Sequence, residues 1–139
     1  MLASIGYAVA YTGVGIVLLT LGFVVLDLLT PGRLGRHIHD QRSVNAGIVL
    51  AAGFLAQGLI IFSAIWTNAT SGFGSALLYT VVFGVLGVVL QGIAFVVLDL
   101  LTPGKLGQHV TEVAFHPASL VLAAVQLAVA GIVVASTWP

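Results

Sequence analysis

Four long apolar stretches alternate with shorter polar segments along the chain. They cover residues 5–30, 44–66, 75–102 and 118–138. A helix that crosses a membrane needs about 20 predominantly apolar residues, and each stretch reaches that length. The first and third are long enough to cross at a tilt. The pattern therefore predicts four transmembrane helices.

The three connections between these stretches differ in charge. Residues 31–43 and 103–117 are polar and charged, whereas residues 67–74 (TNATSGFG) carry no charge. All basic residues of the chain lie in the two charged connections: Arg33, Arg36, Arg42 and Lys105. Because Lys and Arg concentrate in cytoplasmic loops, we expect the charged loops in the cytoplasm and both termini outside.

The second half of the chain repeats the first. Residues 23–38 (FVVLDLLTPGRLGRHI) align without a gap with residues 95–110 (FVVLDLLTPGKLGQHV), and only three positions differ. The same register also pairs residues outside this motif: Tyr7 with Tyr79, Gly15 with Gly87, and Trp66 with Trp138. Each half therefore corresponds to one helix pair.

A helix pair crosses the membrane an even number of times, so both copies must have the same orientation. This predicts a parallel repeat with a pseudo-twofold axis along the membrane normal. We expect an all-α, four-helix transmembrane bundle that forms a single domain over residues 1–139. Its parts are repeat 1 (1–66), a linker (67–72) and repeat 2 (73–139).

Composition narrows the functional classes. The chain is 60% hydrophobic and 6% charged, with a mean hydropathy of +1.20, whereas soluble domains carry roughly 25% charged residues. The net charge of zero argues against nucleic-acid binding, which depends on surplus Lys and Arg. Without cysteine there is no disulfide or thiolate metal site. Membrane lipid and other membrane proteins are the expected neighbours.

Each motif copy contains a Thr-Pro-Gly sequence at the end of an apolar stretch. Proline cannot continue a helix, and glycine permits positive φ. We therefore expect a helix stop followed by a turn in both copies, formed by Thr30, Pro31, Gly32, Thr102, Pro103 and Gly104.

Asp27 and Asp99 lie about one turn before these helix ends, where the helix dipole disfavours an anion and lipid adds a further cost. The basic or titratable side chains that could pair with them are Arg33, Lys105, His37 and His109, with Arg36 and Arg42 as further candidates. Two interpretations remain open. The carboxylates form a structural salt bridge or cap, or they handle ions or protons.

Small and polar residues follow one stripe along the first and third helices: Thr20, Thr80, Gly84, Gly87 and Gln91. Small residues allow close approach of helices in lipid, and Thr or Gln can form hydrogen bonds across them. The stripe indicates a helix-packing surface or, as the alternative, the lining of a pore.

The histidines of the first motif copy are not all present in the second, as a metal site shared by both copies would require. His37-x-His39-Asp40 offers suitable ligand types, but the second copy has Thr111 in place of His39. We therefore expect no metal centre and no cofactor. The sequence also lacks an HExxH motif, a phosphate-binding glycine loop and a Ser-His-Asp arrangement, which argues against an enzyme.

The paired Asp-x-Leu-Thr-Pro-Gly motifs, within a four-helix chain of this length, resemble the DUF350 family, also called UPF0719, of small bacterial inner-membrane proteins. The resemblance covers essentially the whole chain. It implies a location in the bacterial plasma membrane and the duplicated architecture. It assigns no activity and no role to the aspartates.

These observations favour an oligomeric structural or partner subunit of the bacterial cell envelope. A small ion channel or ion-coupled transporter that uses Asp27 and Asp99 is the first alternative. An accessory subunit of a larger membrane enzyme complex is the second.

Overall fold

The computed structural model describes residues 1–138, apart from the side chain of Leu106, so residue 139 of the predicted domain lies outside the description. The helices are α1 (Leu2–Leu29), α2 (Leu34–His39), α3 (Val44–Thr67), α4 (Phe73–Leu101), α5 (Leu106–Val110) and α6 (Pro117–Thr137). No strand occurs among the described residues. The all-α fold and the four helices long and apolar enough to span a membrane, α1, α3, α4 and α6, are confirmed.

The short helices α2 and α5 were not expected from the hydropathy pattern, which treats both segments as polar loops. Their apolar side chains point back into the bundle: Leu34 of α2 and Val110 of α5 are fully buried. All six helices contribute to one apolar core at the end of the bundle where the charged loops lie. It is formed by Leu26, Leu34, Ala46, Val49, Phe95, Val110 and Leu122. The two charged loops are therefore folded onto the bundle.

Helix α3 lies at the centre of the bundle. Its packing against α6 is the most extensive between any two helices, and it also contacts α1 and α4. Helix α1 packs against α3 and α4 but makes no comparable contact with α6 within the described chain. An exact twofold relation between the halves would require α1 and α6 to pack as α3 and α4 do. The pseudo-twofold axis stays a prediction. The packing departs from exact twofold symmetry because α1 and α6 lack the contact that α3 and α4 make.

The hydrogen bonds between α3 and α4 come from positions where the two halves of the sequence differ. The Gln57 side chain donates to the Gly84 carbonyl at 2.8 Å and accepts from Gln91 Nε2 at 3.1 Å. Gly87 lies so close to α3 that a Cβ atom would be 2.7 Å from Ile60 Cδ1. The positions equivalent to Gln57, Gln91 and Gly84 are Val129, Leu19 and Thr12. The polar bonds that join α3 to α4 therefore have no counterpart between α6 and α1.

Gln126 of α6 is the exception among the buried glutamines. It is 1% exposed, and neither amide atom has a hydrogen-bond partner among the described residues. Its oxygen faces Gly53 of α3, where a Cβ would lie 2.7 Å away. An unsatisfied amide at membrane depth lowers the stability of the bundle.

We expect Gln126→Leu to raise stability by about 1–2 kcal/mol, because it removes two unpaired polar atoms. The matched variant Gln57→Leu should lower stability, because it leaves Gln91 and the Gly84 carbonyl without their partner. Thermal unfolding in detergent measures both. A lowered Tm for Gln126→Leu would contradict this account of Gln126.

Candidate functional site at the loop end of the bundle

The Thr-Pro-Gly segments form the turns that the sequence predicts. In the first copy the Arg33 N–H donates to the Thr30 carbonyl at 3.2 Å, and Gly32 has a φ of +76°. In the second copy Lys105 donates to Thr102 at the same distance, with a φ of +88° at Gly104. Proline followed by glycine at positive φ is typical of a type II turn. Helices α1 and α4 end one residue before their threonines, at Leu29 and Leu101.

The two aspartates bind backbone amides. Asp27 Oδ1 accepts a hydrogen bond from the Gly35 N–H at 2.9 Å, and Asp99 Oδ1 accepts from the Gly107 N–H at 2.7 Å. Each glycine is in the first turn of the following short helix, where backbone N–H groups have no partner within the helix. The carboxylate near one helix end thereby caps the beginning of the next helix, and both copies do so with the same atoms.

The structure does not bring the basic side chains to these carboxylates. Arg33, Arg36, Arg42 and Lys105 are all exposed. The single contact within 4.0 Å between an acidic and a basic or imidazole side chain in the described chain joins His109 and Glu112. Arg33 and Lys105 instead adopt positive φ values of 70° and 60°, an unfavourable geometry for residues with a side chain. The aspartate bond two residues later holds the chain in this conformation.

The two motif histidines have different partners. His37 Nδ1 is 2.8 Å from Gln41 Oε1, and its Nε2 is 2.9 Å from the Pro31 carbonyl, so both ring nitrogens are engaged within its own loop. His109 Nδ1 instead lies 3.0 Å from Glu112 Oε1, and its ring stacks on His116 with the centroids 4.2 Å apart. The copies have thus diverged beyond the shared turn.

Two buried side chains at the start of α3 hold the second charged loop. Asn45 Nδ2 donates to the carbonyls of Glu112 at 2.9 Å and Ala114 at 2.6 Å, and Asn45 Oδ1 accepts from the His116 N–H at 2.8 Å. Ser43 Oγ donates to the Glu112 carbonyl at 2.7 Å. Both charged loops therefore lie at the same end of the bundle and are joined to each other.

Nearly the whole chain, with both copies of the motif, matches one known family. Residues 1–137 match the family described as Domain of Unknown Function (DUF350). The chain belongs to the DUF350 family. The resemblance found in the motif residues is therefore confirmed, and with it the description as a multi-pass transmembrane protein.

Curated relatives carry the same designation. The DUF350 chain is 38% identical over 128 residues to a UPF0719 transmembrane protein of Mycolicibacterium paratuberculosis, covering 92% of this chain and 84% of the relative. UPF0719 transmembrane proteins of Mycobacterium bovis and Mycobacterium tuberculosis are each 35% identical over the same shares. No solved structure matches the chain.

The predicted stripe of this DUF350 chain divides between two environments. Thr80, Gly84, Gly87 and Gln91 are buried on α4, with the Thr80 hydroxyl bonded to the Ala76 carbonyl at 2.8 Å. Thr20 of α1 is exposed in a groove, and its hydroxyl bonds to the Ile16 carbonyl. The four residues of α4 pack against neighbouring helices, whereas Thr20 has no such neighbour.

Sequence reasoning missed Ser43 and Asn45 as organisers of the loop end. A signal existed for Ser43, because serine directly before an apolar helix is typical of an N-cap, and its Oγ accepts from the Ala46 N–H at 3.2 Å. Asn45 has no sequence signal, because its partners are 67 to 71 residues away.

We expect Asp99→Ala to destabilise the second loop by about 1–2 kcal/mol, because it leaves the Gly107 amide without its acceptor. Asp99→Asn should cost less, since an amide oxygen can still accept. Hydrogen exchange of the Gly107 amide measures the effect, and Asp40→Ala, an exposed acid of the other loop, is the control. Equal exchange in Asp99→Ala and the unaltered chain would contradict this role.

Proposed function

We propose that this DUF350 protein is a non-enzymatic membrane subunit that assembles through α1 with a second copy of itself. The observation that carries the proposal is the exposure of α1. Only 11% of the residues in its most apolar 18-residue segment are buried within the chain, compared with 50% for the corresponding segment of α3. The other three spanning helices are thus packed to a greater degree, and α1 retains a free face.

The free face of α1 has the features of a helix-packing surface. Beyond the neighbouring backbone of α1, no atom lies within 4 Å of where a Cβ would stand at Gly6 or Gly13, so packing within the chain does not require glycine there. Glycines in membrane helices commonly allow a neighbouring helix to approach closely. A second copy of the chain would supply such a neighbour.

A groove of about 520 Å³ runs between α1 and α3. Its lining is almost entirely apolar and consists of Ile16, Leu19, Thr20, Phe23, Leu50 and Phe54. The hydroxyl of Thr20 already bonds to its own helix, so an entering side chain meets an apolar surface. The groove is suited to the apolar side chains of a packed helix.

The absence of cysteine makes single-cysteine crosslinking a direct test. Gly13→Cys should form a disulfide-linked dimer in membranes under mild oxidation. Gly131→Cys, at an equally open glycine of α6, should form much less. A chain that remains monomeric in mild detergent and shows no preference for Gly13→Cys would overturn self-assembly. Crosslinking of Gly13→Cys to a different protein would instead identify the accessory-subunit alternative.

We also propose that the charged loops face the cytoplasm, that both termini lie outside, and that the protein is located in the bacterial inner membrane. The basic residues of both loops support this orientation. The matching Asp-to-Gly bonds of the two motifs support a duplicated unit with a parallel pseudo-twofold axis.

The orientation predicts which positions react from outside the cell. Ser71→Cys, in the uncharged connection, should react with a membrane-impermeant maleimide when the inner membrane is intact and the outer layers of the envelope admit the reagent. Gln108→Cys, exposed at the loop end, should react only after the membrane is opened. The reverse pattern would invert the topology.

A channel or ion-coupled transporter has less support. The carboxylates of Asp27 and Asp99 already bind loop amides, and Gln91 and Gln57 bond to each other in the interior. Ion flux into proteoliposomes that falls on combining Asp27→Asn with Asp99→Asn would favour this alternative.

A further inference from the structure

Three potential metal ligands converge beside the second motif turn. One ligand atom from each of His109, Glu112 and His116 lies within 4.8 Å of the other two. Two imidazoles and a carboxylate are the donor set that Zn²⁺ favours when a fourth position stays open to water. We propose that these three residues bind one divalent transition-metal ion, with Zn²⁺ as the ion best matched to the donors.

The spacing of the donors fits such an ion. His109 Nδ1 and Glu112 Oε1 are 3.0 Å apart, close to the roughly 3.3 Å that separates two ligands in a tetrahedral site with bonds of about 2.0–2.1 Å. Since an ionised carboxylate only accepts, the Nδ1–H of His109 donates to Glu112 in the metal-free protein. The ion takes the place of this proton, which moves to Nε2 of the same ring.

His116 supplies its ligand atom from the start of α6. Its Nδ1 accepts the Ala118 N–H at 3.1 Å, so this nitrogen carries no proton, and its lone pair becomes available to an ion when that hydrogen bond breaks. The ion replaces the Ala118 amide as the partner of Nδ1. The His109 and His116 rings are stacked with 9° between their planes, and they must tilt to direct both lone pairs at the ion. Both side chains are partly exposed, which leaves space for this rotation.

The backbone that carries two of the ligands is held from beneath. Asn45 is fully buried and binds the Glu112 carbonyl and the His116 N–H. Ser43 binds the Glu112 carbonyl as well. These bonds fix the backbone positions from which the Glu112 and His116 side chains extend.

The first copy of the motif lacks the site. The positions equivalent to His109, Glu112 and His116 are His37, Asp40 and Val44. Valine cannot bind a metal ion, and both ring nitrogens of His37 are engaged by Gln41 and Pro31. The sequence comparison predicts no metal centre because it considers only repeated positions, and His116 is not repeated. The duplication therefore provides matched control positions.

The test is metal titration of the full chain, purified in detergent without a polyhistidine tag. Co²⁺ absorption in the visible range reports tetrahedral coordination, and calorimetry with Zn²⁺ gives affinity and stoichiometry. We expect one ion per chain. Glu112→Gln and His116→Ser should each weaken Zn²⁺ binding at least about tenfold. The amide introduced by Glu112→Gln can still bond to His109, and the hydroxyl introduced by His116→Ser can still cap α6, so both variants should fold.

The control variants are His37→Ala and Asp40→Asn, at the equivalent positions of the first copy. Their Zn²⁺ affinity should equal that of the unaltered chain. The proposal is overturned if no saturable Co²⁺ spectrum develops, if binding survives both Glu112→Gln and His116→Ser, or if His37→Ala weakens binding equally. Circular dichroism and gel filtration establish that each variant is folded, and His109→Gln provides a third ligand variant.

Discussion

The hydrogen bond that an aspartate accepts from the amide eight residues later is the contact on which the loop end depends. A carboxylate in the last turn of a helix at the membrane boundary is unfavourable by itself. The first turn of α2 and of α5 has a backbone N–H without an acceptor in its own helix, which is also unfavourable. Each group satisfies the other in Asp27 with Gly35 and in Asp99 with Gly107. The bond also fixes the turn and brings the short helix onto the apolar core.

The same requirement governs the interior. At membrane depth, water does not satisfy amides and hydroxyls, so polar side chains must bond within the protein. Gln57 bonds to Gln91 and to the Gly84 carbonyl, and Ser63 bonds to Thr137 at 2.9 Å. These bonds join α3 to α4 and α3 to α6. No equivalent residues join α1 to α6, and α1 is the least buried spanning helix.

The two motif segments agree in their local structure and differ in their surroundings. The Thr-Pro-Gly turns, the positive φ values at the two residues after each proline, and the aspartate bonds match between the copies. The side chains around the two motif histidines do not match, because Gln41 occupies the first loop while Glu112 and His116 flank the second. One copy thus retains a self-contained loop. The other brings two imidazoles and a carboxylate close together at the junction with α6.

The sequence alone determined the four spanning helices, the ends of α1 and α4 at the Thr-Pro-Gly turns, and the family. These features depend on the length of apolar stretches and on the backbone limits of proline and glycine, which act over a few residues. It also identified Asp27 and Asp99 as residues that need a partner, although it offered basic side chains for that role. Only the tertiary structure decided that the partners are backbone amides.

The position of α1, the anchoring of the second loop by Asn45 and the proximity of His116 to His109 were likewise decided by the tertiary structure. Asn45 and its partners are 67 to 71 residues apart, and a single sequence carries no signal for contacts at that separation. The physical reason is that hydropathy specifies which segments enter the membrane. The pairing of individual polar groups specifies how those segments pack once they are there.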